Sequence, residues 1–113
     1  MRAQESKAIQ PHWTWVLELL PDEPVLRAGL SAGHRGAINA SSRRGLTVRV
    51  SDDPHDIEVF LELQDRTAAA GRYGGQSHAY HRFVARKLMP EHAASLYPVQ
   101  VEGAAVSGAL CFD

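Results

Sequence analysis

The hydrophobic period of this chain changes at Gly45, and that change limits the folds open to it. Upstream, Leu26, Leu30, Ala37, Ile38 and Ser41 fall near one face at helical spacing. Downstream, Leu46, Val48 and Val50 alternate with Thr47, Arg49 and Ser51, the period of a half-buried strand. Arg43 and Arg44 suit the negative end of a helix dipole, and Gly45 suits the left-handed residue that closes a helix. A helix turned directly into a strand by one glycine points to a mixed α/β domain.

The rest of the chain extends that pattern. Residues 1–20 read as a polar lead-in followed by a strand over Trp13–Leu20, where apolar and β-prone residues cluster. Pro21-Asp22-Glu23-Pro24 starts one basic helix over residues 21–45, with Asp22 as cap and Pro24 in the first turn. Gly29, Gly33 and Gly36 weaken it, by roughly 1 kcal/mol each relative to alanine. In residues 46–113, Asp53 caps a helix on which Ile57, Phe60, Leu61, Gln64 and Ala68 keep the helical period as far as Gly71. Ser77 caps another, with Tyr80, Phe83, Val84 and Leu88 on one side and Pro90 as its stop. Leu96–Val101 and Ala105–Phe112 flank Glu102-Gly103-Ala104 as a hairpin. Pro98 argues against a central position for the first of these strands, since it has no N–H to donate.

A chain of 113 residues supports one domain. Its net charge of −1 gives no whole-chain attraction to nucleic acid or acidic membranes. Local basic faces remain: Arg35, Arg43, Arg44 and Arg49 gather at the helix–strand corner, and Arg72, Arg82, Arg86 and Lys87 on or beside a later helix. Such runs serve either as ligand contacts or as solvated helix faces. Cys111 is the single cysteine, which precludes an internal disulfide, and no segment approaches the ~20 apolar residues of a membrane span. The chain reads as cytoplasmic.

Several ordered features fit one family. Ile9-Gln10-Pro11 precedes Thr14 and Leu17-Glu18-Leu19; Arg35, Ile38, Ala40, Arg43-Arg44-Gly45 and Val48 follow. Thr67, Tyr73, Ser77 and Tyr80 come next, then Val99, Gly103, Val106 and Ala109. This set, from about Ile9 to Asp113, resembles the Fem-type aminoacyltransferases, which add amino acids to peptidoglycan precursors. Gln76 stands at a position where a basic residue would suit that family, and His81 takes the place of its second tyrosine. The resemblance implies an α/β, GNAT-like (acyl-CoA N-acyltransferase-like) fold with a mixed or antiparallel sheet and flanking helices. It also implies an incomplete one, because the elements that finish the sheet and cleft fall outside these 113 residues. The chain alone is accordingly expected to be inactive.

The implied reaction is attack by a precursor-peptide amine on the ester carbonyl of aminoacyl-tRNA. It requires positioning, removal of a proton and oxyanion stabilisation, with no metal and no cofactor beyond the tRNA co-substrate. On this resemblance the substrate-binding residues are Arg35, Arg43, Arg44, Tyr80 and Gln76. A guanidinium pairs bidentately with phosphate, so the arginines suit a nucleotide-linked precursor or tRNA; a solvated helix end is the other reading. Tyr80 suits either the precursor or the core. His78 and His81 share a helix face but lack a third ligand, and His34, His55 and His92 show no partner in sequence. The rival readings are an acetyl-CoA-dependent N-acyltransferase and a non-catalytic module that binds nucleic acid through the basic helix.

Overall fold

A computed structural model of the chain describes residues 13–71 and 74–113; the Ile9-Gln10-Pro11, Arg72 and Tyr73 features lie outside them. Among the described residues the chain is mixed α/β, with four α-helices and one three-stranded antiparallel sheet. The order is α1 (Glu23–Gly29), α2 (Ala32–Arg43), β1 (Leu46–Val48), a 3-10 turn (Pro54–Asp56), α3 (Ile57–Gly71), α4 (His78–Leu88), β2 (Ala94–Val101) and β3 (Ala104–Phe112). Residues 1–36 and 37–113 form two units, divided within α2.

In the first unit, Trp13–Leu20 forms no strand and is exposed throughout, which corrects the sequence expectation. A strand exists only by pairing, and this segment has no partner strand among the described residues. The expected single helix is also two. Asp22 precedes α1, but its backbone carbonyl rather than its side chain takes the first N–H groups, those of Val25 and Leu26. Leu30 then turns extended, and the Ser31 hydroxyl accepts from the His34 N–H at 3.2 Å, restarting the helix as α2. A serine that caps competes with continuation of the helix through it, and three nearby glycines weaken the resistance.

In the second unit, Gly45 adopts φ +77° and closes α2 as expected, with its N–H bonded to Ser42 O. β2 is the central strand, paired with β1 on one side and β3 on the other, despite Pro98. The reason lies in which way Pro98 faces. Its carbonyl accepts from Arg49 N at 3.2 Å, so its missing donor also points toward β1 and the β3 ladder is untouched. The regular part of β1 ends at Val48, opposite Val99; Arg49 comes next, and pairing resumes at Ser51, which exchanges both bonds with Leu96. The hairpin turn Glu102-Gly103 has φ of 49° and 81°, the pair of positive values of a type I′ turn. One extra residue in β3 shifts its register opposite Val99/Gln100 and places a bulge there.

Helices α3 and α4 cover one face of this sheet. Ile57 and Leu61 of α3, Ala85 of α4, Met89 just past its end, and Ala94 and Leu96 of β2 make the core, with Phe60, Leu88 and Leu110 packed against it. The expected period of α3 produces its buried stripe, and Asp53 caps the preceding turn by accepting from His55 N. Ser77 Oγ caps α4 by accepting from Tyr80 N. The inner stripe of α4 is His81, Val84 and Ala85, however, leaving Tyr80 and Phe83 half exposed. Ala85, fully buried, lets the helix lie close to its neighbours, and the bulkier rings fall to the side. The alternation in Leu46–Val50 is real but faces the other way: Arg49 and Ser51 look toward α3 and its preceding turn, while Val48 and Val50 stay 63% and 60% exposed on the bare side.

Candidate functional site

Among its described residues the second unit carries a trough between α3 and β3. Three adjoining cavities of about 240, 250 and 690 Å³ make it up, and Leu63 lines all of them. Phe60 and Leu63 lie over Gly108, where a Cβ would stand 3.8–3.9 Å from their side chains. Apolar groups of Val59, Pro98, Ala105 and Val106 line the trough beside Leu63. Arg49, Glu62, Arg66 and Gln100 add polarity at one end and Thr67 along the side. Gln64 Oε1 is buried here without a hydrogen-bond partner among the described residues. Such a shape suits an extended, largely apolar chain.

The rim charges are internally compensated. Arg66 pairs with Glu62 one helical turn away. Arg49 pairs with Asp56 at 2.9 Å, and the same carboxylate accepts from Ser51 Oγ at 2.5 Å. The Arg49 guanidinium and the Ser51 hydroxyl hold the Asp56 carboxyl below the ordinary carboxylate range. Asp53 is likewise lowered, first by the backbone N–H of His55 and then by its ring. Glu58 is lowered, and Arg82 raised, by their two bonds of 2.7 and 2.9 Å.

The residues expected to bind substrate are dispersed over several elements. Arg35 belongs to the first unit, where its guanidinium donates to the carbonyls of Ala28 and Leu30 and so covers the end of α1. Arg43 and Arg44 belong to the second, exposed at the end of α2, with no side-chain partner among the described residues. Gln76 is exposed in the loop before α4, and Tyr80, 47% exposed, sits in the first turn of that helix with its ring edge-on to His81. The five thus fall in three places: Arg35 at the end of α1, Arg43 and Arg44 side by side at the end of α2, and Gln76 and Tyr80 at the start of α4.

No family model, curated protein or solved structure matches this chain.

The histidines that lacked partners in sequence have them in space. His34 Nδ1 lies 2.7 Å from Ser31 Oγ, His55 Nδ1 2.9 Å from Asp53, and His92 Nδ1 3.2 Å from Asp52. His78 donates to Asp65 at 2.7 Å, whereas buried His81 donates Nδ1–H to Ser77 O and tilts against Phe60. The two therefore do separate jobs. Ser95 Oγ donates to Asp52 at 3.0 Å, so Asp52 bridges a serine and a histidine. That order differs from a nucleophilic triad, in which the histidine stands between serine and acid to take its proton. No three His, Cys, Asp or Glu residues converge on one point among the described residues. Sequence reasoning missed the trough, because it arises where α3 passes over β3 and leaves no local motif.

Proposed function

We propose that this chain is part of a GNAT-like domain of a Fem-type aminoacyltransferase, inactive by itself, whose parent enzyme works in the cytoplasm on a nucleotide- or lipid-linked peptidoglycan precursor. The observation that supports this reading best is the chain order of the second unit: strand, two helices, then an antiparallel hairpin. That is the arrangement the resemblance implies from Leu46 onward. In the proposed reaction the precursor amine attacks the aminoacyl ester carbonyl, a C–N bond forms, and the ribose oxygen of the tRNA leaves. Arg43 and Arg44 are the phosphate contacts, because Arg35 is already committed to two carbonyls. Tyr80 and Gln76, at the open start of α4, are the contacts to the precursor.

The test is binding to the full chain, with aminoacyl-tRNA and a nucleotide-linked muropeptide titrated separately. The reading expects saturable binding of both that weakens with salt, and a loss of about tenfold in the Arg43→Ala/Arg44→Ala double variant, the scale of one charge-assisted hydrogen bond. Absence of saturable muropeptide binding would overturn it. Salt-steep RNA binding without muropeptide binding would point instead to a nucleic-acid module, and acyl transfer from acetyl-CoA to the rival enzyme class.

A further inference from the structure

β3 is an edge strand of nine residues containing no charge and no proline. Natural sheets protect such edges with lysine, proline or a covering element, since the unpaired backbone groups recruit another strand. The register identifies those groups. Leu96 and Pro98 bond toward β1, so their β3 partners Leu110 and Gly108 direct N–H and C=O outward, and Phe112 does the same. The trough lies on one side of this edge, and the bare apolar sheet face, with Tyr97 and Val99, on the other.

The first unit presents the converse need. Trp13-Thr-Trp-Val-Leu-Glu-Leu-Leu20 is a β-prone run, apolar on both alternating faces except at Thr14 and Glu18. Runs of this kind belong to strands covered on both faces. Here the segment has no strand partner, and Trp13 and Trp15 are 91% and 93% exposed. Among the described residues, one molecule therefore holds an eight-residue β-prone run without a sheet and a nine-residue edge without a strand.

We infer that Trp13–Leu20 of one copy adds to the outer edge of β3 in a second copy. Backbone bonds to Gly108, Leu110 and Phe112 supply the affinity, and the two apolar faces of the added strand meet the trough and the bare sheet face. Glu18 is the segment's single charge; the rim arginines Arg49 and Arg66 are already paired with Asp56 and Glu62, so the complementarity is that of strand to edge. Reciprocal exchange closes a two-fold dimer.

The experiment measures mass by light scattering and tryptophan emission on the full chain over a wide concentration range. Trp13 and Trp15 are the chain's two tryptophans, so the emission reports on this segment alone. The inference expects mass to rise from 12.4 kDa toward twice that value with concentration, accompanied by a blue shift. Two variants should hold the chain monomeric and red-shifted: Leu17→Asp at an exposed donor position, and Phe112→Pro, which deletes an outward N–H. An unchanged unfolding midpoint at low concentration would show that each variant still folds. A monomer at every concentration, or a blue shift at constant 12.4 kDa, would overturn the inference. So would a dimer lost in Phe112→Pro but indifferent to Leu17→Asp, which would indicate pairing of β3 with β3.

Discussion

Residues 13–36 and residues 37–113 contain apolar side chains in similar abundance but use them differently. The first unit spends its local bonds on termini: Ser31 opens one helix and Arg35 closes another, yet neither of its helical stretches buries a residue. The second assembles Ile57, Leu61, Ala85, Met89, Ala94 and Leu96 from three elements distant in sequence. Caps order a helix end, whereas cores make a unit cooperative, and helical stability in proteins comes mainly from the packed face. The contrast teaches that the capping signals so visible in residues 21–45 report local shape and not stability.

Paired truncations give the largest expected effect. Leu61→Ala removes a 2% exposed core side chain and should cost about 2–5 kcal/mol. Trp15→Ala, at low protein concentration, should stay within about 0.5 kcal/mol despite the larger side chain. Denaturant unfolding of both variants measures the difference; a Trp15→Ala cost as large as that of Leu61→Ala would erase the contrast between the units.

Acid sharpens it next. Asp56, Asp53 and Glu58, all in the second unit, have pKa values below the ordinary carboxylate range. A carboxyl lowered on folding stabilises the fold fully above its unfolded value of about 4 and releases that stabilisation as pH falls through the folded value. Stability measured downward from neutral pH should therefore hold until about 4 and then decline. Asp56→Asn should make the decline shallower, because asparagine does not titrate and the preference of Arg49 and Ser51 for an ionised carboxyl is then gone at every pH. The smallest effect belongs to the boundary residue. Gly45→Ala meets nothing within 4 Å, so it should cost only the left-handed backbone preference, about 1 kcal/mol in thermal or denaturant unfolding.

Local physics made much of the second unit legible in sequence. Asp53, Ser77, Gly45 and Glu102-Gly103 act within four residues of themselves, and α3 repeats its apolar period over four turns. What escaped depends on pairing or on distance. Trp13–Leu20 has strand composition but pairs with no strand among the described residues, and Pro98 argued against a central strand until its direction was known. The inward choice of His81 over Tyr80 follows from how α4 meets its neighbours, and Ser95 reaches Asp52 across 43 residues. Of the expected site, Gln76 and Tyr80 share a junction, Arg35 is occupied as a helix cap, and the trough carried no sequence signature.

Pro98 also gives the sheet a preferred order of rupture. Its imino ring removes a rung joining β1 to β2, whereas the β2–β3 ladder keeps Pro98 opposite Gly108 and shifts only at the bulge beyond Val99, so the hairpin is paired on both sides of one bulge and the first strand on either side of a gap. Native-state hydrogen exchange is therefore expected to find β1, which follows α2 and its two arginines, opening before the hairpin.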